Sequence, residues 1–274
     1  MDDIVQKRLL QAGNLVFAFL TIGINIAANA LPLNNKNTGV LSDNLPNLFV
    51  PSGLTFAIWG IIYVLWIVFA LYQARDWISK KDIPMPYLKQ IHGFFIISSL
   101  ANIAWIFLWH YEYPVLCLLP MIILLLSLLA IYQRLGIGKT PVSRNEKLAV
   151  HVPFSVYLGW ITVATIANVT GALIALGYDG LPLGTQQLWT YLVLAVGVLI
   201  GLLVLWQRKD IAYAFVLVWA YFGILIKRLG TDPLFGEQTT IAAVAGFGCL
   251  IILIVIALVA LQQWKAGCPL IQKT

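Results

Sequence analysis

The sequence predicts an all-α membrane protein, a polytopic bundle of eight transmembrane helices with both termini on the cytoplasmic side. Hydrophobic residues make up 61% of the 274 residues and charged residues only 10%, and the mean hydropathy is +0.89. A soluble domain carries about 25% charged residues. The few charged residues here lie in short clusters between long apolar runs. This pattern excludes a soluble globular fold and makes the lipid bilayer the first predicted partner.

Eight apolar stretches are long enough to cross a membrane. A helix needs about 20 apolar residues to span the hydrocarbon, because every backbone N–H and C=O must be hydrogen-bonded within it. The predicted spans are Leu9–Leu31, Ser52–Gln73, Gln90–Trp109, Pro114–Tyr132, Ala149–Ala175, Gln187–Trp206, Ile211–Lys227 and Thr239–Trp264. Indole rings favour the headgroup region, and five tryptophans fall near the span ends: Trp77, Trp109, Trp189, Trp206 and Trp264.

The distribution of basic residues orients the predicted spans. With eight spans both termini lie on one side, and that side carries 14 of the 17 lysines and arginines. The opposite side carries Lys36, Lys227 and Arg228. Because positively charged loops stay in the cytoplasm, we expect cytoplasmic termini. The basic residues are spread over separate segments rather than along one stripe, so the net charge of +6 predicts no nucleic-acid partner.

The predicted spans contain no ionisable residue near mid-membrane. Ion-coupled and proton-coupled transporters normally keep such a group there to bind the driving ion. Lys227, His92 and His151 lie close to span ends, and the three histidines lack the spacing of a zinc helix. The three cysteines show no paired spacing. The sequence therefore predicts no metal site, no cofactor and no catalytic residue.

Four predicted helices carry aromatic and amide side chains along one face. In the second span the rings recur every three or four residues, which places them on one side of a helix. These residues are Phe56, Trp59, Tyr63 and Trp66 in the second span, Asn102, Trp105 and Trp109 in the third, Tyr157, Trp160, Ala164 and Asn168 in the fifth, and Asn14, Asn25 and Asn29 in the first.

Two interpretations of these faces are compatible with the spacing. In the first they are packing faces, and each asparagine forms an interhelical hydrogen bond of about 0.6 kcal/mol. In the second they line a cavity for a large flat apolar ligand such as a tetrapyrrole or a sterol, with rings for stacking and amides for orientation. An unpartnered asparagine in hydrocarbon costs about 2 to 7 kcal/mol, so a neighbouring helix or a ligand must satisfy each one. The spacing alone does not choose between them.

A long polar segment, Pro32–Val50, connects the first two spans. The other hairpins predicted on that side, near Tyr111–Tyr113 and Tyr178–Gly184, are short. Long ordered loops in compact proteins are often lids or binding loops. We expect a lid over the predicted cavity, and a loosely ordered connector is the alternative.

Three short motifs of a known protein family occur in the first five spans, over about residues 1–177. The fifth span contains Tyr157-Leu158-Gly159-Trp160, followed by Ala164, Thr165 and Asn168. The second begins Pro51-Ser52-Gly53-Leu54-Thr55-Phe56 before Trp59 and Tyr63, and in the third Asn102 lies three positions before Trp105. These stretches resemble the Tyr-Leu-x-Trp, Pro-Pro-Gly-Trp-x-Phe and Asn-x-x-Trp motifs of the TspO/translocator family, also called the tryptophan-rich sensory proteins.

The resemblance implies a five-helix bundle over residues 1–177 that encloses a ligand pocket, with residues 32–50 as its lid, and it implies a homodimer. The ligand-binding residues that it implies are Phe56, Trp59, Tyr63, Asn102, Trp105, Tyr157, Trp160, Ala164 and Asn168. Residues 187–264 lie outside the resemblance. They predict an additional module of three membrane helices, in which Gly197 and Gly201 indicate close helix packing.

The sequence departs from the family pattern at three places. Leu54 replaces a tryptophan of the family, which weakens the implied photochemical breakdown of porphyrins. Val156 replaces the proline before the fifth-helix tyrosine. The cholesterol-recognition signature has no counterpart after Asn168. Sterol transport is therefore not expected.

We expect a protein in the plasma membrane of a prokaryote. Its expected role is to bind or sense a flat hydrophobic ligand such as a tetrapyrrole, and this role includes transport of that ligand. We expect no enzyme activity, and light-dependent porphyrin degradation stays an alternative. An alternating-access secondary transporter of a small organic solute is the alternative from another class. It predicts internal repeats and broken helices, and only a weak similarity between the second and seventh spans favours it.

Overall fold

A computed structural model describes residues 3–31, 33–178, 184–230 and 235–265, without the side chains of 235–237. This part of the chain is helical and contains no strand. The helices are α1 Asp3–Ala30, α2 Thr38–Asp43, α3 Ile58–Gln73, α4 Arg75–Ser79, α5 Pro86–Ile91, α6 Phe94–His110, α7 Leu118–Arg134, α8 Arg144–Glu146, α9 Val152–Ala175, α10 Gln186–Arg208, α11 Ile211–Leu229 and α12 Phe235–Lys265. Single-turn elements at Leu33–Asn35, Gly53–Ala57 and Lys147–His151 lie between them.

Six helical stretches in the described ranges are long and apolar enough to cross a membrane. They are Asp3–Ala30, Gly53–Gln73, Arg144–Ala175, Gln186–Arg208, Ile211–Leu229 and Gln238–Lys265. α6 and α7 are equally apolar in character but have only 17 residues each. The chain is thus a multi-pass membrane protein that is all-helical over its described residues, and eight crossings stay a prediction.

The third predicted span begins later than its composition indicates. The prediction started it at Gln90, but Gln90 and Ile91 belong to the short helix α5. His92 follows with a φ of 48°, a left-handed value that a helix does not tolerate, and α6 begins at Phe94. Hydropathy does not register such a break, because the apolar side chains continue across it.

The helices form one continuous core. α1, α3, α6, α7 and α9 pack together, and α11 lies against α9 with α10 and α12 on its outer side. Gly159 of α9 makes this approach possible, because a Cβ there would lie 3.0 Å from the Tyr213 carbonyl oxygen and from Val216 Cβ. Tyr213 Oη also donates to Thr162 Oγ1 at 2.9 Å. The last three helices are therefore packed directly on the first five.

Within the last three helices, Tyr221 of α11 occupies a gap made by two glycines. Gly197 of α10 faces its hydroxyl, and a Cβ at Gly248 of α12 would lie 2.9 Å from its ring. The Tyr221 hydroxyl donates to the Leu194 carbonyl at 2.5 Å. The packing role predicted for Gly197 and Gly201 is thus fulfilled inside one chain, since Gly201 likewise faces Leu217 of α11.

Candidate ligand-binding site

The predicted site residues lie at the lid end of the bundle, where Trp59 of α3 is the centre of a ring cluster. Its indole stacks on Tyr63 at a centroid distance of 5.8 Å and on Trp105 at 6.5 Å. It meets Tyr157 and Trp160 edge to face at 6.1 and 6.3 Å. α3, α6 and α9 supply these rings from the faces that the helical spacing predicted.

Two cavities adjoin this cluster, and Thr38, Phe56 and Trp59 line both of them. The larger is a cleft of about 740 Å³ between α1, α3 and the lid. Its lining residues are Asn25, Ile26, Asn29, Ala30, Asn37, Thr38, Gly39, Val40, Asp43, Gly53, Phe56, Trp59, Tyr63 and Ile106. Ile26 of α1 and Val40 of the lid are exposed, so the cleft is open to the surface of the protein.

The second cavity lies beneath the lid and has a volume of about 40 Å³. Its lining residues are Thr38, Ser42, Leu45, Asn47, Val50, Pro51, Phe56, Trp59, Trp105, Trp109, Trp160, Val163, Ala164, Ala167 and Asn168. The indole Nε1 of Trp160 is buried here without a hydrogen-bond partner. An acceptor in this cavity would satisfy it.

The amide of Asn168 is already bound within the protein. Trp105 Nε1 donates to Asn168 Oδ1 at 3.0 Å, and Asn168 Nδ2 donates to the Ala164 carbonyl at 2.8 Å. The Trp105 ring stacks on Trp109 at 5.6 Å with an interplanar angle of 17°. This wall of the small cavity is therefore fixed by contacts between α6 and α9 rather than left open for a ligand.

Asn102 and Tyr157 border neither cavity. Asn25 Nδ2 donates to Asn102 Oδ1 at 2.7 Å, and Asn102 Nδ2 donates to Tyr157 Oη at 3.2 Å. All three residues are at most 2% exposed. Asn102 and Tyr157 thus belong to a hydrogen-bond network that links α1, α6 and α9. The other predicted site residues line the cavities: Phe56, Trp59, Tyr63, Trp105, Trp160, Ala164 and Asn168.

The lid is folded in its described part, residues 33–50, whereas Pro32 lies outside the described residues. Asn37 caps α2, and the Thr38 backbone N–H donates to Asn29 Oδ1 at 3.0 Å. Thr38 Oγ1 is hydrogen-bonded to His110 Nε2 at 3.1 Å, and Trp109 Nε1 donates to the Thr38 carbonyl at 3.3 Å. These bonds attach the first half of the lid to α1 and α6.

The predicted site residues did not include Asn37, Thr38, Asp43 or His110. Asn37 before a short helical stretch is an N-cap signal that could have revealed α2. No local signal relates Thr38 to His110, because 72 positions separate them. Leu54 is 68% exposed and borders neither cavity, so the departure from the family motif at this position lies outside the site.

In the described ranges, no group of three His, Cys, Asp or Glu side chains is arranged to hold a metal ion. The cleft is lined by aromatic rings, aliphatic side chains, the amides of three asparagines, the Thr38 hydroxyl and one carboxylate, that of Asp43. Rings and amides bind an apolar ligand by stacking and by oriented hydrogen bonds.

Comparison with known proteins gives one match. The sequence profile of the TSPO-like protein family matches residues 10–258. No curated protein and no solved structure matches the chain. The match extends beyond residue 177, where the motif resemblance ended, and includes most of the last three helices. Because it covers well over half of the sequence, this membrane protein belongs to the TSPO-like protein family.

Proposed function

We propose that the protein binds and senses a flat hydrophobic ligand, such as a tetrapyrrole, in the cleft between α1 and α3. The observation that carries the proposal is the size of the cleft together with its aromatic wall. Ligand pockets usually measure about 300 to 1,000 Å³. The cleft, at about 740 Å³, lies in this range, whereas the cavity beneath the lid, at about 40 Å³, is far too small.

The cleft offers one apolar and one polar side to such a ligand. Phe56, Trp59 and Tyr63 present half-buried rings, and contacts between aromatic rings contribute about 0.5 to 1.5 kcal/mol beyond the burial of their area. Asn25 and Asn29 of α1 lie opposite, and Asn29 also holds the lid at Thr38. A ligand that displaces this bond would change the position of the lid, which is how binding would become a signal.

Binding fits this cleft better than chemical conversion or ion-driven transport. Asp43, the carboxylate of the lining, lies in the lid and forms an ion pair with Lys227 at 2.5 Å. It therefore lies at the mouth, where it does not provide the mid-membrane ion site that coupled transport requires. The cleft therefore favours ligand binding over ion-driven transport.

Titration of protoporphyrin IX against purified protein, followed by tryptophan fluorescence, tests the proposal. We expect saturable quenching in the wild type and about tenfold weaker binding in Trp59→Leu, since a lost contact of about 1.4 kcal/mol corresponds to a factor of ten. Trp206→Leu is the matched control, because it also removes one fluorophore but from a side chain 76% exposed at the opposite end. Absence of saturable quenching in the wild type, or equal affinities of the two variants, would refute the proposal.

A second pair of variants locates the ligand relative to the small cavity. Trp160 and Trp66 both bury an unpartnered Nε1, but only Trp160 borders a cavity of the site. Because the proposed ligand lies in the cleft, which Trp160 does not line, we expect protoporphyrin affinity to be unchanged in both Trp160→Phe and Trp66→Phe. Weaker binding in Trp160→Phe alone would contradict a ligand confined to the cleft and would mean that it also enters the small cavity.

A further inference from the structure

The second half of the lid is held by α11, which belongs to the last three helices. Arg228 in the last turn of α11 is only 6% exposed. Its Nε donates to the Leu48 carbonyl at 3.1 Å, and its Nη2 donates to the Asn47 and Val50 carbonyls at 3.1 and 3.5 Å. One guanidinium thus binds three carbonyls of a four-residue stretch.

These carbonyls belong to backbone that is removed from solvent. Asn47 and Val50 are each 4% exposed, and Phe49 between them is fully buried. A conformation that buries a carbonyl without a hydrogen-bond partner is destabilised, because the carbonyl has lost its hydrogen bonds to water. A hydrogen bond from a charged donor is stronger than one from a neutral donor. The guanidinium therefore favours the closed position of residues 47–50 over any position that leaves it.

Lys227, the neighbour of Arg228, holds the lid at a second point. Its Nζ lies 2.5 Å from Asp43 Oδ1, at the end of α2. Asp43 also lines the cleft. This contact is more exposed than that of Arg228, so it is weaker and depends on salt. It places α11 in contact with the edge of the proposed ligand site.

α11 also binds the segment that leads from the lid into α3. Trp219 Nε1 donates to the Thr55 carbonyl at 2.9 Å, and the Ser52 N–H donates to the Gly223 carbonyl at 3.0 Å. Gly223 faces Thr55 so closely that a Cβ would overlap the threonine hydroxyl. Contacts with α11 therefore extend from Asp43 to Thr55.

We infer that α11 is the clamp of the lid and that Arg228 is its positioning residue. The first half of the lid is held by α1 and α6, whereas the half above the small cavity is held by hydrogen bonds and an ion pair from α11 and by a hydrogen bond to α9, from Asn47 Nδ2 to the Ala167 carbonyl at 3.1 Å. Opening that cavity requires Asn47, Leu48 and Val50 to leave the guanidinium. The last three helices thereby set how often the lid opens and how long a ligand stays. The part of this inference that concerns the ligand rests on the proposed function, whereas the clamp itself does not.

Hydrogen–deuterium exchange of the ligand-free protein tests the clamp. We expect Arg228→Gln to speed exchange of the amides of residues 47–50 about tenfold or more, because local opening governs exchange and three charged-donor hydrogen bonds are lost. Arg208→Gln is the matched control. Arg208 is also a buried arginine in the last turn of its helix, 8% exposed, but it donates to Ile137 at the other end of the bundle.

The expected result is faster exchange at residues 47–50 in Arg228→Gln alone, with the amides of α9 as protected as in the wild type. Unchanged exchange at residues 47–50 in a folded Arg228→Gln protein would overturn the clamp. Should this variant fail to fold, Arg228→Lys carries the same test, because it keeps the charge but an ammonium lacks the planar fork that reaches three carbonyls. We then expect a smaller but measurable acceleration at residues 47–50; no acceleration in a folded Arg228→Lys protein would overturn the inference.

Dissociation of protoporphyrin IX, followed by stopped-flow fluorescence, tests the consequence for the ligand. We expect faster dissociation from Arg228→Gln than from the wild type or from Arg208→Gln. If the wild type binds no protoporphyrin, the proposed function fails and the exchange experiment still decides the clamp. If exchange accelerates while dissociation does not, the clamp stands and its control of the ligand is refuted.

Discussion

Asn25 of α1 donates a hydrogen bond of 2.7 Å to Asn102 of α6, in a region where both side chains are buried. This bond, continued from Asn102 to Tyr157, satisfies two of the polar groups that the sequence offered as ligand contacts. The rings of Phe56, Trp59 and Tyr63 instead face an open cleft. Packing therefore accounts for one set of the polar and aromatic residues, whereas another set lines open space, as the cavity interpretation requires.

Asn102→Ala is expected to lower stability without lowering ligand affinity. The variant removes the donor to the Tyr157 hydroxyl and one of the two acceptors of Asn25 Nδ2, which keeps its hydrogen bond to the Thr21 carbonyl. A buried group that loses its partner costs about 1 to 3 kcal/mol. Thermal unfolding in detergent measures the loss. In a double-mutant cycle with Asn25→Ala the two effects should couple by about 0.6 kcal/mol. Strictly additive effects, or a loss of protoporphyrin binding at unchanged stability, would contradict the structural role.

Asp76 and Asp210 carry buried carboxyls outside the membrane-spanning helices. We expect the free energy of unfolding to rise with pH because of Asp76 and to fall with pH because of Asp210. Lys7 lies 2.8 Å and Arg8 3.2 Å from Asp76. Burial alone raises the pKa of Asp76, but hydrogen bonds from Lys7 and Gln11 and the charges of both basic residues outweigh it, so its pKa lies below 3.8. Its stabilising contribution is complete above about pH 4 and is lost as the pH falls through the lowered pKa.

Asp210, between α10 and α11, has a pKa above 3.8. Burial raises it, and hydrogen bonds from Ser155 at 2.7 Å and Tyr132 at 2.9 Å offset this only in part. A carboxyl with a raised pKa keeps its proton to higher pH in the folded state than in the unfolded state. Stability therefore falls as the pH rises from about 4 through the raised value.

Melting temperatures of Asp76→Asn and Asp210→Asn between about pH 3 and 8 test both signs. The difference from the wild type should become more negative with rising pH for Asp76→Asn and more positive for Asp210→Asn. Slopes of the same sign for the two variants would show that one of the two pKa directions is wrong.

Gly159→Ala is expected to loosen the contact between α9 and α11. The added Cβ would lie 3.0 Å from the Tyr213 carbonyl oxygen, and overpacking of this kind costs about 1 to 3 kcal/mol. Gly60→Ala in α3 is the control, because a Cβ at Gly60 has no neighbour within 4 Å and replaces a residue that disfavours the helix. Thermal unfolding should show destabilisation only for Gly159→Ala. A melting temperature of Gly159→Ala at or above that of Gly60→Ala would contradict the tight contact.

Cysteine labelling with an impermeant maleimide tests the predicted eight crossings and the cytoplasmic termini. In intact cells Glu112→Cys, between α6 and α7, should react, and Lys139→Cys, between α7 and α8, should not. Of the three native cysteines, Cys117 and Cys249 are buried, which limits background reaction, and Cys268 is replaced by serine in both variants. Equal labelling of both positions would mean that α7 does not cross the membrane, and the inverse pattern would reverse the predicted orientation.

The number and approximate bounds of the apolar helices could be predicted from composition, since each of the eight predicted spans has a counterpart among the helices. The start of α6 could not, because the positive φ of His92 is a backbone property without a hydropathy signal. In the site, the spacing of Phe56, Trp59 and Tyr63 correctly indicated one face. It did not reveal that Asn102 and Tyr157 turn to each other, because the identity of a hydrogen-bond partner depends on the neighbouring helix.

The sequence by itself determined a helical membrane protein with rings and amides along several helix faces, because hydrocarbon admits only segments that satisfy their own backbone and the 3.6-residue period fixes which side chains share a face. Only the tertiary structure decided which of those groups border open space and which bind one another. It alone placed Arg228 on the Leu48 carbonyl, 180 positions away, and so joined the last three helices to the lid. Contacts of this kind arise from the packing of whole helices, which no local sequence pattern records.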